Sequence, residues 1–336
     1  MKNNSTFIIA ELSANHNNDY DIAVKTIQAM AKAGANAVKV QTYTADSLAL
    51  DVDNEYFGPK KEGLWKGIRP YDLYKEASMP YEWQPKLKEL AESLGLVFFS
   101  SPFDFEGVDF LETIDCPIYK IASFEITDIP LIEYVARKGK PIIISTGVAE
   151  LEDIQLAVDT CRKVRNNDIT LLKCTSQYPA EIADANLATI PDMKNRFNVK
   201  IGVSDHTMGS IVPVVAVSLG ATVVEKHFIL DRNMGGADST FSMEPQEFKD
   251  MVDKIRSVEK SLGTVNYDVS ENDKLKRRSL FATKNIRVGE LFTKENIRSL
   301  RPGHGLHPKY LKEIIGKKSL QNMFRGDKLN LNITDE

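Results

Sequence analysis

The sequence predicts a (β/α)8 TIM barrel followed by a small domain of mostly β type. Three observations predict it: eight short β-branched apolar runs alternate with amphipathic stretches, glycine closes several of those stretches, and polar residues gather just after the runs. Eight strand and helix units in about 260 residues is the arithmetic of one closed parallel barrel. A doubly wound open sheet would not need eight alternations, and no Gly-x-Gly-x-x-Gly follows any strand.

In chain order the strand runs are Phe7 to Glu11, Ala37 to Gln41, Leu96 to Ser100, Ile118 to Ala122, Pro141 to Ser145, Ile169 to Cys174, Val199 to Ser204 and Thr222 to His227. Helical periodicity marks Asp21 to Lys32, Glu82 to Leu94, Pro130 to Lys138, Glu152 to Lys163, Ile211 to Leu219 and Pro245 to Leu262. Gly34, Gly95, Gly139 and Gly220 stand where a helix hands over to a residue with positive φ. The stretch from Tyr43 to Pro80 is rich in Asp, Gly, Pro and aromatics, and reads as an elaborated loop on the face where a site would lie, shaping a substrate pocket. The barrel is assigned to residues 1–262 and a linker to 263–279, where Asn, Asp and Ser give way to the basic run from Lys274 to Arg278. Residues 280–336 form the second domain, with strand-like pieces at Ser279 to Ala282 and Lys328 to Ile333 and one helix near Pro308 to Ile315.

The 336 residues are 42% hydrophobic, enough for a proper core. A formal net charge of -4 gives no bulk attraction to nucleic acid or an anionic membrane, so any anionic ligand must be held by local cations. Cys116, Cys161 and Cys174 are odd in number and unpatterned, which argues for a reducing compartment. No apolar segment has signal or membrane length, and the expected location is the cytoplasm.

Strand ends carry the groups a barrel core would reject: Glu11, Lys39 and Gln41, Ser100 and Ser101, Lys120 with Ser123 and Glu125, Thr175 and Tyr178, Ser204 with Asp205 and His206, and His227. Buried charge is expensive unless paired or employed, so their convergence on one face points to a site. As plain packing, Lys39, Lys120 and Glu125 would be an ion-pair cluster under the loops. Two lysines from different strands with serines nearby instead suit a phosphate, or a phosphate plus carboxylate. His206 and His227, two of five histidines, can hold a divalent cation in an incomplete shell, with Asp205 joining the shell or fixing an imidazole tautomer. His16 either caps the helix that follows it or touches substrate. An imine formed on Lys120, as in an aldolase, remains the rival chemistry.

The runs Ala10-Glu11-Leu12-Ser13-Ala14-Asn15-His16-Asn17, Val38-Lys39-Val40-Gln41-Thr42, Phe99-Ser100-Ser101-Pro102-Phe103 and Tyr119-Lys120-Ile121-Ala122-Ser123-Phe124-Glu125 resemble the sialic acid synthase family. So do Cys174-Thr175-Ser176-Gln177-Tyr178-Pro179, Ser204-Asp205-His206-Thr207 and Glu225-Lys226-His227-Phe228. Arg301-Pro302-Gly303-His304-Gly305 and Arg325-Gly326-Asp327 are similar to the antifreeze-like (SAF, β-clip) domain of those synthases. The first motif, with Leu64-Trp65-Lys66-Gly67, most resembles the pseudaminic branch rather than the N-acetylneuraminate one, with a legionaminate substrate as a further alternative.

The resemblance implies metal-dependent condensation of phosphoenolpyruvate with an open-chain acetamido sugar, here 2,4-diacetamido-2,4,6-trideoxy-altrose, and water, with C–O cleavage releasing phosphate. It implies phosphoenolpyruvate binding by Lys39, Ser101, Lys120, Ser123, Ser176 and Ser204, and sugar binding by Gln41, Tyr178, Asp238 and Arg301. Glu11 and Glu125 become the acid/base pair, and His206 and His227 the ligands of Mn2+, with Mg2+ or Co2+ as alternatives. It further implies a domain-swapped homodimer across which Arg301 is offered. Ser176 stands where many relatives have Asn, and Ser101 where Thr is common. A reading from another class, a carbohydrate- or ice-binding tail on an inert barrel, leaves the strand-end charges without a purpose.

Overall fold

A computed structural model describes residues 5–333, so the outermost ends of the two expected domains, residues 1–4 and 334–336, lie outside the described residues. The chain divides into two units, Met1–Gly263 and Thr264–Glu336.

In the first unit eight parallel strands close into a barrel in sequence order: β1 (Phe7–Glu11), β2 (Ala37–Thr42), β3 (Val97–Pro102), β4 (Tyr119–Ile121), β5 (Ile142–Ser145), β6 (Ile169–Cys174), β7 (Lys200–Asp205) and β8 (Val223–His227). β1 pairs with both β2 and β8, which is what closes the ring. The expected strand runs match to within one or two residues. They are legible because most positions on both faces of these strands are buried, so each run is rich in apolar residues.

The connecting helices are α1 (Tyr20–Lys32), α2 (Ala45–Leu48), α3 (Pro70–Ala77), α4 (Gln84–Ser93), α5 (Phe105–Thr113), α6 (Ile129–Ala136), α7 (Leu151–Lys163), α8 (Thr189–Phe197), α9 (Ile211–Ser218) and α10 (Pro245–Leu262). Their apolar faces meet the outward side chains of the sheet in one core that includes Ile8, Val38, Phe98, Leu111, Ile132, Val158, Val224, Phe248 and Met251. Asp19 caps α1, its carboxylate accepting from the amides of Asp21 and Ile22 at 2.8 and 3.1 Å. Gly34, Gly95, Gly139 and Gly220 all have positive φ, as a C′ residue requires.

Four of these helices correct the reading of the sequence. α2 and α3 lie inside the stretch expected to be one loop, and α5 and α8 add to the helices expected from periodicity. α5 carries Gly107 in its first turn and α8 carries Pro191 in its first turn, residues that weaken a helical pattern on paper. Pro is tolerated there because the first-turn amides have no partner within the helix.

The second unit has an antiparallel pair, β9 (Ser279–Ala282) and β10 (Ile297–Leu300), and its own core of Leu280, Ile286, Phe292, Ile297, Met323 and Leu329. Residues 264–279, read as a linker, fall within this unit and include the one-turn helix α11 (Glu271–Lys274). The expected strand from Lys328 to Ile333 shrinks to one bridge between Lys328 and Phe281, then turns into a 3-10 helix at Leu331–Ile333. The expected helix appears as a 3-10 turn Pro308–Tyr310 running into α12 (Leu311–Ile314).

Candidate active site

Side chains alternate between faces along a strand. Glu11 is the Cα partner of Lys39 on β2 and of His227 on β8, and Ser204 is the partner of Glu225. Inward-facing side chains therefore meet at one level near the carboxyl ends of the strands. Lys39 Nζ lies 2.6 Å from Glu11 Oε2 and 3.9 Å from Glu225 Oε2, and Lys120 Nζ lies 3.7 Å from Glu225 Oε1. Lys39 also donates to Ser101 Oγ at 3.3 Å, Ser204 donates to Glu225 Oε1 at 2.9 Å, and Gln41 donates to Glu11 Oε1 at 3.3 Å and Ser13 Oγ at 3.0 Å. All four ionisable groups of this floor are buried.

Glu225, a residue without a role in the expectations from sequence, corrects the ion-pair alternative: the lysines pair with Glu11 and Glu225, not with Glu125. Burial raises the Glu11 carboxyl and the neighbouring Glu225 charge adds to it, against Lys39, bringing it to about 7. Burial would raise Glu225 as well, but Lys120, Lys39 and the Ser204 hydroxyl hold it below the usual carboxylate range. Burial lowers Lys120 against the pull of Glu225, whereas Glu11 and Glu225 overcome burial and raise Lys39.

Above the floor the imidazoles of His206 and His227 face each other with ring centroids 5.2 Å apart. His206 Nδ1 lies 3.0 Å from the Thr175 carbonyl oxygen and 3.9 Å from Cys174 Sγ, which leaves Nε2 uncommitted. His227 Nδ1 is buried without a hydrogen-bond partner, 3.7 Å from Asp238 Oδ2. Burial holds His227 well below its ordinary pKa, so its imidazole is neutral, the form that ligates metals, whereas Cys174 and the Thr175 carbonyl overcome burial and raise His206. An orphaned imidazole nitrogen beside a second imidazole and a carboxylate fits a divalent cation. Among the described residues no group of three or more His, Cys, Asp or Glu side chains forms a ready cage, so such an ion would keep open positions.

A cavity of about 460 Å³ opens over this level, lined by Gln41, Ser123, Glu125, Tyr178, His227 and Asp238 among others. The stretch between β2 and α4 contributes Tyr43, Lys60, Trp65, Leu73 and Tyr74 to its wall, the part expected of it. Trp65 donates its indole N–H to the Ala237 carbonyl at 3.2 Å and lies 6.0 Å from the Tyr178 ring, which in turn lies 4.6 Å from His206. Glu125, in the 3-10 turn Ser123–Glu125, has a buried Oε2 without a partner, and burial raises its carboxyl to about 7. Ser123 Oγ accepts the Gly147 amide at 3.1 Å. A Cβ at Gly147 would stand 2.0 Å from Ser176 Oγ and 2.9 Å from Ser123 Oγ, so only glycine lets the β5–α7 loop approach both hydroxyls.

Three residues stand elsewhere. Arg301 belongs to the second unit, where it is exposed. Asp205, expected beside the imidazoles, faces outward: its carboxylate takes the Thr207 amide and hydroxyl at 3.0 and 3.1 Å and the Lys226 ammonium at 2.5 Å. Alternation along β7 is the reason, since Ser204 and His206 point inward. His16 has a local role, its Nδ1 accepting the Asn18 amide at 3.0 Å and its ring meeting Trp83 edge-on.

With this geometry in hand, comparisons give the chain its relatives. The model of the NeuB family matches residues 26–267 and that of the SAF domain residues 277–329. A pseudaminic acid synthase of Campylobacter jejuni is 47% identical, over 96% of this chain and 95% of its own. An N,N'-diacetyllegionaminic acid synthase of Legionella pneumophila is 37% identical over 96% and 93%. The crystal structure of an N-acetylneuraminic acid synthetase from Leptospira borgpetersenii in complex with citrate superposes with a TM-score of 0.71 at 34% identity, covering 80% of this chain and 89% of that one. The chain is an enzyme and belongs to the NeuB family, its eight-stranded barrel followed by an SAF domain.

Proposed function

We propose that the chain is a pseudaminic acid synthase. It condenses phosphoenolpyruvate with the open-chain aldehyde of 2,4-diacetamido-2,4,6-trideoxy-altrose and water, releasing pseudaminic acid and phosphate. The observation that carries the reaction class is the pair Lys39 and Lys120, buried on β2 and β4 beneath a cavity whose wall holds an imidazole and a carboxyl with raised pKa. The choice of sugar rests on the greater similarity to the Campylobacter enzyme than to the Legionella one.

In this reading Lys39 and Lys120 hold the phosphate and carboxylate of phosphoenolpyruvate, with Ser101, Ser123, Ser176 and Ser204 as neutral donors. Gln41, Tyr178 and Asp238 orient the sugar. The enol carbon of phosphoenolpyruvate attacks the aldehyde carbon, and the former carbonyl oxygen takes up a proton. Water adds to the oxocarbenium carbon left behind and loses a proton, and the C–O bond to phosphate then breaks as the new hydroxyl gives up its remaining proton, leaving the ketone. Glu11 and Glu125, both poised near 7, are the groups that take the proton from water and return one to the departing oxygen. His206 and His227 would hold a divalent ion, Mn2+ or alternatively Mg2+ or Co2+, whose chemistry is polarisation of a carbonyl oxygen. The same proposal includes a homodimer in which Arg301 serves the partner's site.

The test supplies phosphoenolpyruvate labelled with 18O at its bridging oxygen, with each acetamido sugar in turn. Phosphate carrying the label, formed only when the diacetamido altrose is present and stopped by chelator, is expected. Label retained in the organic product would sink the C–O cleavage, and turnover insensitive to chelator would sink the metal. A second reading has one observation in its favour: the lowered pKa of Lys120 suits an imine nucleophile. Borohydride with a keto acid would trap it there and not in the synthase.

A further inference from the structure

Behind the two imidazoles lies a cluster of polar groups to which the reaction gives no part. Asp205 and Lys226 are Cα partners on β7 and β8, each one residue before a site histidine. Both face away from the cavity, and both are buried, Lys226 entirely. The Lys226 ammonium lies 2.5 Å from Asp205 Oδ2 and donates to the Thr207 carbonyl oxygen. Asp205 in turn receives the Thr207 amide and hydroxyl. The ammonium therefore grips the residues on either side of His206 while its own neighbour in the chain is His227.

The strands themselves leave this corner underdetermined. Backbone pairing of β7 with β8 stops at Asp205 and Lys226, so the ladder does not set the distance between the two histidines. His206 lies beyond the last rung and is steadied by the amide of Ala180, which donates to its carbonyl oxygen at 3.1 Å. An apolar pair in this outer layer would close the barrel at lower desolvation cost. What apolar side chains would not supply is a directional link across the end of the ladder.

We infer that Asp205, Thr207 and Lys226 form a clasp that positions the imidazoles of His206 and His227 for one divalent cation. The three are positioning residues, and the inference rests on the metal reading given under Proposed function. Removing the ammonium leaves the two imidazoles in place as ligands but frees their separation. Groups standing behind first ligands are typically worth about 10–100-fold in metal affinity.

The experiment titrates Co2+ into the full-length protein without substrates, following the visible d–d bands and the heat of binding. Lys226→Met is the principal variant, because it keeps volume and loses the ammonium. Asp205→Asn, which preserves shape, is the second arm should the first not fold. Val158→Ala, buried in α7 between β5 and β6 and not part of the clasp, serves as a control for loss of stability alone. The expected result is Co2+ affinity about 10–100-fold weaker and displaced d–d bands in either clasp variant, with Val158→Ala unchanged at a matched fall in melting temperature. Titrations of the clasp variants that overlay the unsubstituted chain, or a loss equalled by Val158→Ala, would overturn the clasp and leave the metal reading standing. If the unsubstituted protein binds no Co2+ while still binding phosphoenolpyruvate, the metal reading falls and the clasp with it.

Discussion

The floor of the site and its rim are built on opposite principles. On the floor Glu11, Lys39, Lys120 and Glu225 are sealed from water and answer one another's charge. At the rim Trp65, Tyr74, Tyr178 and Asp238 line an open cavity with aromatic rings and one carboxylate. Charge that is buried in fixed pairs suits a chemical demand that never varies, such as an anionic phosphate. An aromatic wall carried on a loop suits the part of a substrate that differs between relatives. Chemistry and choice of guest are therefore separable here, so substitutions in the two regions should fail in different ways.

Breaking the floor should produce the largest effect. Lys39→Met leaves Glu11 and Glu225 without their shared cation, and removing one member of a buried pair costs about 3–5 kcal/mol of stability. We expect no measurable turnover, and a fall in the denaturation midpoint at neutral pH that lessens as Glu11 takes a proton in acid. Undiminished phosphate release would remove the lysines from the reaction and erase the distinction between floor and rim.

Glu125 sits between the regions and tests where one ends. Its carboxyl is raised to about 7 by burial, so it is protonated below that pH and able to donate. A group whose folded pKa exceeds its unfolded value stabilises fully below the unfolded value and loses that contribution as pH climbs through the folded one. Stability should therefore decline between pH 4.5 and about 7 in part through Glu125, and Glu125→Gln should flatten that segment. The same variant should slow turnover by about 10²–10⁴-fold and remove a limb near neutrality from the pH profile of kcat. A limb that survives in the variant would belong to Glu11.

The two regions also differ in how far the sequence reveals them. Strand ends are legible because a Glu11 or His227 closing an apolar run has no packing reason to be there. Glu225 escapes notice because it lies within such a run, between Val224 and Lys226, and its partners arrive from β2 and β4 only when the barrel closes. Asp205 neither joins the imidazoles nor fixes a tautomer because alternation turns it outward from the strand that points Ser204 inward. Gly147 gives no sign in one dimension, since its importance is the absence of a Cβ between two serines. The helices α2 and α3 were hidden by the Gly- and Pro-rich composition of their stretch, which nonetheless announced a wall for the cavity.

The smallest effect is expected at Trp65, and it sharpens the comparison most. The ring is fixed by its N–H bond to the Ala237 carbonyl and by Lys60, whose ammonium lies 4.7 Å from the ring centroid. It touches none of the floor groups. Trp65→Ala should raise KM for the sugar while leaving KM for phosphoenolpyruvate and the pH profile unchanged, since it removes binding without touching a proton or a charge. One apolar contact of this kind is worth about 1–3 kcal/mol, or 10–200-fold, in discrimination. Measured against the diacetamido altrose and its epimers, the variant should lose preference among sugars more than rate with any one. A matching rise in KM for phosphoenolpyruvate would mean that the wall reaches down to the floor, and that the two regions are one.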